Sequence, residues 1–492
     1  MTTELAAHAA TLPQEPIFET PAEQMQAVFD AQWPKALSLR TSTAAARIER
    51  IKALRDALLS EREAVYAAMA QDMRKNKAEV EATELLPILD EMRHVIGRLK
   101  SWMKPTYAWP TMTTLGLKAR IHYQSRGRVL IISPWNYPLN LCLGPLVSAL
   151  AAGNTVILKP SEMTPNVSAV TARIIAKVFD PTEVALFQGA QATSTALLAM
   201  PFDHIFFTGS PVVGKIVMAA AAKHLTSVTL ELGGKSPTIV DKSANVALAA
   251  ENLMWSKHIN NGQICIAPDH VYVHTSVKAE FVAQCLKALD KLYGHETNRQ
   301  TNPDLTRIVN ARHTERLAGL LADARASGAR ILVGGQIDES QNYIAPTLLE
   351  GVAADSRIMN EEIFGPLLPI MEFTDINQVV SKINAAPKPL VLYIFSKDDR
   401  RINEVLSNTS SGGACVNHSI VHFAHGNLPF GGVNNSGIGN GHGHFGFKAF
   451  SHERAVLTGG WLRTEKLFAP PYTPKRFAFI RRIVNALKLP ML

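Results

Sequence analysis

Residues 129–158 read VLIISPWNYPLNLCLGPLVSALAAGNTVIL, thirty positions without a charged residue or a histidine. A run of this length invites a membrane span, but Pro134, Asn136, Pro138, Asn140, Pro145 and Asn154 interrupt it. It reads instead as a buried strand (Val129–Ile132), a polar loop, a small-residue helix (Leu146–Ala152) and a second buried strand (Thr155–Leu158). Two apolar strands joined through a helix predict a parallel sheet covered on both faces, because parallel strands need a crossover connection.

Working outward, the alternation continues. Thr164-Pro165 opens a helix over about 166–178, and Val184–Phe187 and His204–Phe207 read as strands. Thr208-Gly209-Ser210 then leads into a helix through Ala222. A second alternating region runs from about Ser236 to Val416. Its strand candidates are Thr238–Val240, Val271–His274 and Ile331–Val333, with helices near 245–258, 276–291 and 312–326. Upstream, residues 22–104 are helical in pattern. Thr41, Ser42 or Thr43 can cap a helix whose Ile48, Ile51, Leu54 and Leu58 fall on one face. The rhythm lapses between Pro105 and Gly116, Leu117–Tyr123 alternates like an exposed strand, and 417–450 reads mainly as loop. The fold class is therefore α/β, and ligands are expected in loops beyond the strands' carboxyl ends.

Bulk properties narrow the function. The chain has 492 residues, 47% hydrophobic and 19% charged, which suits a soluble protein of two or three domains. Of the net charge of +8, +6 lies from Arg463 onward, so the body is nearly neutral and nucleic-acid binding is not expected. Four cysteines, at 142, 265, 285 and 415, form no CxxC pair and fit a reducing compartment. No apolar signal segment stands near the start, so a cytoplasmic protein is expected.

Five places could carry chemistry. Phe207–Lys215 (FTGSPVVGK) joins a strand end, glycines and a helix start, which aims backbone N–H groups at a phosphate. It is neither a P-loop, since Ile216 has no hydroxyl, nor a GxGxxG fingerprint. Lys159 and Glu162, just after a strand, could bond a ribose diol, or form a solvated pair. Glu231 in LELGGK lies between leucines, where a raised pKa would suit a general base; an outward-facing strand residue is the plainer reading. Cys265, in NGQICIAP, sits in a polar, glycine-containing segment where a thiol could act as nucleophile, activated by positive charge or a base. Asn136, in a proline-fixed loop after a strand, could donate to an oxyanion or simply cap a turn.

Together these segments resemble the aldehyde dehydrogenase family, most closely its class 3 branch of fatty and aromatic aldehyde dehydrogenases, and coniferyl aldehyde dehydrogenases are similar too. The resemblance spans about residues 25–457. SPWNYP (133–138), LKPSE (158–162), FTGS…GK (207–215), LELGGKSP (230–237), GQICIAPD (262–269), EEIFGPLLP (361–369) and LPFGGVNNSGIG (428–439) carry it, in the family's order. It implies Cys265 as the nucleophile that forms a thiohemiacetal and then a thioester, Asn136 with the Cys265 N–H as oxyanion hole, and Glu231 as the base that activates water. It further implies Glu362 at the nicotinamide ribose, Phe364 against the nicotinamide, Gly209, Ser210 and Gly214 bordering the pyrophosphate and adenosine, and Lys159 and Glu162 at the adenine ribose. NAD is the expected cofactor, with some use of NADP, because the Glu162 carboxylate would repel a 2′-phosphate. No metal is expected.

The implied architecture is an aldehyde dehydrogenase-like fold. A Rossmann-like NAD-binding domain takes 1–105 and 127–230, a catalytic domain 231–416, and a small β extension that pairs across a homodimer takes 106–126 and 417–457. Expected substrates are medium or long aliphatic or aromatic aldehydes. Two rivals are a CoA-acylating enzyme, which would not need Glu231, and a catalytically silent binding protein, which would not need Cys265, Glu231 and Asn136 together. Val433-Asn434-Asn435-Ser436 departs from the family's usual Val-Gly-Asn-Ser, but Asn tolerates left-handed dihedrals. The histidines at 418, 422, 425, 442 and 444 lack a compact ligand motif and read as structural or solvent-exposed. In the basic tail (463–492), Phe477, Ile480, Ile483, Val484 and Leu487 share a helical face, with Arg476, Arg481, Arg482 and Lys488 off it. That pattern suits peripheral contact with an anionic membrane, or packing on the protein itself.

Overall fold

The computed structural model describes residues 19–460 and 465–487. It begins with helices at Ala22–Leu39, Ala44–Ser60, Arg62–Met73, Lys77–Val80 and Leu86–Trp102. Thr43 caps the second, its hydroxyl accepting from the Ala46 N–H at 3.2 Å. After β1 (Thr106–Ala108) and β2 (Lys118–Ser125) the chain enters a sheet made of β3 (Arg128–Ile132), β4 (Thr155–Lys159), β5 (Val184–Leu186), β6 (His204–Gly209) and β7 (Ser227–Leu232). These five strands are parallel, in the order β7-β6-β3-β4-β5. Strand order reverses between β3 and β6, so the loops leaving those two strands part and open a crevice.

The alternation of side chains along β3 explains the uncharged stretch. Val129 and Ile131 enter the core beneath helices 44–60, 86–102, 140–152 and 165–178. Leu130 and Ile132 enter the opposite core, beneath helices 22–39, 191–198 and 211–222. None of the four is more than 8% exposed. Each such side chain contributes about 1.5–3 kcal/mol on burial, so both faces of this strand need apolar cover. The helix expected from Leu146 begins earlier, at Asn140. Its start is held from outside, with Glu84 accepting from the Asn140 N–H at 2.9 Å, and it runs on through Pro145.

The second sheet comprises β8 (Pro237–Val240), β9 (His270–His274), β10 (Arg330–Val333), then, after the small hairpin β11 (Ile337–Asp338) and β12 (Tyr343–Ile344), β13 (Thr347–Glu350), β14 (Leu367–Phe373), β15 (Val391–Phe395) and β16 (Gly413–Val416). Its order is β10-β13-β14-β9-β8-β15-β16, parallel except for β10. The helices expected near 245–258, 276–291 and 312–326 are Val246–His258, Thr275–Tyr293 and Ala311–Ala326.

Two parts of the expected domain division shift. β7 belongs to the first sheet and carries Glu231, so the crossing between sheets falls after Leu232 rather than after residue 230. β18 (Ser451–Thr458) pairs with β2 along its whole length, and β1-β2-β18 form a separate three-stranded sheet. Residues 417–450, expected with that extension, lie elsewhere: β17 (Gly437–Ile438) pairs with the outer edge of β7, and Phe423, Phe430 and His442 line a cavity. The physical reason is the open edge of β7, whose backbone groups need a partner. The tail forms a helix, Pro474–Ala486, with Phe477, Phe479, Val484 and Leu487 exposed. Residues 463–464 and 488–492 of the tail, Lys488 included, lie outside the described residues, as do 1–18. Among the described residues no helix is long and apolar enough to cross a membrane.

Candidate active site

Two cavities meet at Cys265. One runs past Asn136, Gly209, Ser210, Glu362 and Phe364, the other past Asn140, Ser148, Phe206, Phe430 and Phe450; Leu141, Thr208, Glu231 and Cys265 border both.

The loop before Cys265 is wound tightly. Asn260, Asn261 and Gly262 have φ of 50°, 51° and 76°, and Asn and Gly are the residues that accept this region best. A Cβ on Gly262 would stand 2.3 Å from the Gly365 carbonyl oxygen, so no side chain fits. Gln263 braces the turn: its amide donates to the Asn260 and Arg307 carbonyls, each at 3.0 Å, and accepts from the Val309 N–H at 3.0 Å. The Asn136 loop is tied to the same turn. Asn136 Nδ2 donates to the Gln263 carbonyl at 3.0 Å, and Asn260 Nδ2 donates to the Asn136 carbonyl at 2.9 Å. Beneath them Lys75, itself buried, reaches Glu84 at 3.2 Å and the Asn136 carbonyl at 3.4 Å. A primary amide has two N–H groups, so Asn136 keeps one beyond its bond to Gln263.

Burial, with the Glu362 and Glu231 charges adding, pushes the Cys265 thiol up to about 12. Of the two activators that the sequence reading allowed for, positive charge or a base, carboxyl groups are the ones beside the thiol. Glu231, on β7, is 6% exposed, and neither carboxyl oxygen has a protein partner among the described residues. Burial raises its carboxyl well above the usual range. A carboxyl of this kind takes up a proton more readily than an exposed one.

On the first cavity, Gly209 ends β6 and Ser210 caps helix 211–222, its hydroxyl accepting from the Val213 N–H at 3.4 Å. Gly214 lies one turn along, where a Cβ would meet Leu232 Cδ2 at 2.8 Å, so it serves close packing of helix on strand. Lys159 ends β4 and reaches Glu162 at 3.0 Å, one strand away from the Asn136 loop. Glu362 is half-buried, its carboxyl pushed up to about 8 by desolvation with the Asp269 charge adding. Its Oε1 has no hydrogen-bond partner among the described residues. A Cβ on Gly233 would strike Glu362 Oε2 at 2.2 Å. Phe364 sits at φ +49°, a strained value for an aromatic residue, and meets Trp135 edge-on at 5.4 Å. The segment is clamped: Lys235 Nζ donates to the Ile358 and Glu361 carbonyls at 2.8 Å, and Asp269 accepts from the Ile363 N–H at 2.9 Å.

This cavity fits a dinucleotide. A helix start offers N–H groups to phosphate, a bare glycine lets a backbone approach, and an unpartnered half-buried carboxyl can accept from ribose hydroxyls. Sequence reasoning missed Trp135, His313 and Arg316 on its wall, and Glu91 and His442 on the other cavity. Arg316 and Glu91 stand beside other charged residues in helical stretches and look like solvated faces. The remaining histidines disperse: His422 contacts Cys415 Sγ at 3.2 Å, His418 contacts Asn252 at 3.2 Å, and His444 packs on Trp102. Asn434 adopts φ +54°, as its residue type permits.

The sequence pattern of the Aldehyde dehydrogenase family matches residues 14–456. The 4,4'-diaponeurosporen-aldehyde dehydrogenase of Staphylococcus aureus (strain NCTC 8325 / PS 47) is 41% identical over 471 residues, covering 94% of this chain and 98% of that one. Aldehyde dehydrogenase family 3 member B1 of Bos taurus is 43% identical over 445 residues, covering 89% and 93%. A substrate-bound structure of Staphylococcus aureus AldH superposes with a TM-score of 0.89 at 40% identity, over 94% of this chain and 99% of that one. The chain belongs to the aldehyde dehydrogenase family, as an oxidoreductase, and is similar to the family 3 members.

Proposed function

We propose that this enzyme oxidises medium or long aliphatic or aromatic aldehydes to carboxylic acids through a thioester on Cys265. The observation that carries the reading is the position of Cys265 and Glu231 on the wall shared by both cavities. The cavity away from Asn136 holds the aldehyde, whose apolar tail is suited by Pro87, Leu141, Leu390, Phe423, Phe430 and Phe450.

Cys265 attacks the aldehyde carbon as its proton passes to Glu231, which borders the same two cavities; burial, which holds the thiol up at about 12, makes such an acceptor necessary. The second N–H of Asn136 and the backbone N–H of Cys265 take the oxyanion. When bound, the nicotinamide accepts hydride from that adduct. Glu362 holds the nicotinamide ribose, and Phe364, braced by Trp135, limits where the ring can lie. Gly209, Ser210 and Gly214 border the pyrophosphate, and Lys159 and Glu162 bind the adenine ribose, favouring NAD over NADP. Glu231 then takes a proton from water, whose oxygen attacks the thioester and releases Cys265.

The first sheet with its helices is the NAD-binding domain and the second the catalytic domain. The β1-β2-β18 sheet, with an open edge at β1, pairs with its copy in a homodimer. The exposed apolar face and arginines of helix 474–486 support peripheral contact with an anionic membrane of an otherwise cytoplasmic protein. Liposome flotation of the full chain against one ending at Gly460 tests that contact; equal binding rejects it.

The reaction is tested by NADH absorbance with NAD, no CoA, and aldehydes from acetaldehyde through decanal and hexadecanal to benzaldehyde and coniferaldehyde. Turnover should rank with apolar size and vanish in Cys265→Ala. Turnover that appears only with added CoA would move the acyl group to a thiol instead of water, and none under either condition would refute the catalytic reading.

A further inference from the structure

Each attack by Cys265 leaves the thiol proton on Glu231, and that proton must leave a buried site before Glu231 can act on water. Glu231 has no protein partner to hand it to. A second carboxyl, Glu91 on helix 86–102, borders the same aldehyde cavity and is 8% exposed. Its oxygens accept from the Gly443 N–H at 2.9 and 3.1 Å and from the Ser148 hydroxyl at 3.5 Å.

The two carboxyls border one cavity. A Cβ on Gly441 would lie 3.7 Å from Glu231 Oε1, and Gly443, two residues on, is the residue whose N–H Glu91 holds. The segment 441–443 therefore runs along the cavity wall from one carboxyl toward the other, and water entering the cavity can link them. Glu91 also faces outward. It borders a surface depression together with Asp90, His94 and Gly426, and four residues, Pro87, Glu91, Phe423 and His442, belong to both the depression and the inner cavity. Of these four only Glu91 and His442 titrate. Burial pushes His442 down to about 4, so it stays neutral, and pushes Glu91 up to about 7, where a carboxyl both accepts and releases protons. The titratable groups around Glu91 are Asp90 and His94 on its own helix, His442 ahead of helix 443–449, and Glu231 across the cavity; helix 140–152 presents Asn140 and Ser148.

We propose that Glu91 is the proton exit of this enzyme, carrying the proton that Glu231 takes from the Cys265 thiol to the surface depression. The inference rests on the hydrolytic reading above. In the attack, the S–H bond of Cys265 breaks as its sulfur joins the aldehyde carbon, and the proton goes to Glu231; in the later hydrolysis an O–H bond of water breaks, its oxygen joins the acyl carbon, and the C–S bond breaks with its electron pair taking the water proton back to Cys265. The thiol proton passes from Glu231 through water to Glu91 and out beside Asp90 and His94, with no electron transferred.

Glu91→Gln tests this, because it keeps the shape and an acceptor for the Gly443 N–H while removing the titratable oxygen. Stopped-flow NADH traces in dilute buffer separate the first turnover from those that follow. The first turnover should stay within about two-fold of wild type, and later turnovers should slow at least ten-fold. Imidazole, titrated at constant pH and ionic strength, should restore them by carrying the proton itself. Later turnovers at the wild-type rate, a first turnover that falls in parallel, or slowing that imidazole leaves untouched would each overturn the proposal and leave Glu91 as the acceptor that holds helix 443–449. Gly441→Val is an independent second variant, since its φ permits a side chain and it narrows the water path without touching Glu91. With a short aldehyde it should show the same imidazole-responsive slowing, and an unchanged rate overturns the path. Failure of wild type to give any Cys265-dependent NADH would refute the hydrolytic reading itself, which is a separate result.

Discussion

Gly233→Ala should cripple use of the cofactor while leaving the fold intact. The backbone at 233 is outside the left-handed region, so alanine is accommodated there. The new methyl would lie 2.2 Å from Glu362 Oε2, 2.6 Å from Oε1 and 2.7 Å from Cδ, against an ordinary contact of 3.4 Å or more. The clamp from Lys235 and Asp269 fixes the backbone on both sides of Glu362, so the carboxyl itself must withdraw, by roughly 1.2 Å. A displacement of about 1 Å in a positioning group costs on the order of 100-fold, or about 2.7 kcal/mol of barrier. Replacing glycine also narrows the unfolded ensemble by about 0.4–1 kcal/mol, so the melting temperature should hold or rise. Initial rates over an NAD titration should therefore show kcat/KM for NAD reduced about 100-fold, beside an unshifted or raised thermal melt. The same substitution in a Glu362→Ala background should cost almost nothing further, because no carboxyl remains to be displaced. An unchanged kcat/KM, or an equal loss in the Glu362→Ala background, would refute the assignment of Glu362 to the cofactor.

Other substitutions probe the rest of the site. Glu162→Gln removes the charge beside the proposed 2′ position, and kcat/KM for NADP relative to NAD should rise about ten-fold or more; an unaltered ratio would place the 2′ hydroxyl elsewhere. Because burial raises the Glu231 carboxyl well above the usual range, turnover should climb with pH as the base ionises, in a limb that lies above that of an ordinary carboxylate. Glu231→Gln should flatten that profile and cost roughly 10²–10⁴-fold, and a profile that stays the same in the variant would remove Glu231 from the base role. Gly262→Ala forces a methyl against the Gly365 carbonyl at φ 76° and should destabilise by about 2–4 kcal/mol in denaturant melts, with a wild-type midpoint contradicting the packing described.

What could be read in advance, and what could not, divides along a physical line. The β3–β6 strands announced themselves because each is a short apolar run that ends in a loop of Pro, Gly, Asn or Ser, which is where a parallel sheet places its ligands. β7 went unread because Ser227, Thr229 and Glu231 interrupt its apolar pattern, β13–β15 because runs such as Thr347–Glu350 do not let period alone separate strand from helix, and β16 because it is partly exposed. The carboxyls show the same division more sharply. Glu231 stands between leucines, so burial was one of its two local readings, and Glu362 was found through the resemblance of EEIFGPLLP. Glu91 sits in Leu-Asp-Glu-Met-Arg, a helical stretch whose charges look solvated, and only the arrival of Gly443 from 352 positions away removes it from water. Its character depends on a contact that no local window contains. A carboxyl made catalytic-grade by distant packing is also the kind that a change in that packing can retune: Ser148 and Gly443 stabilise the charged form of Glu91, and losing either contact should raise its pKa further. Ser148→Ala should accordingly move any Glu91-dependent limb of the turnover profile to higher pH without changing the first turnover, linking a residue that takes no part in the chemical steps to the rate at which the site resets.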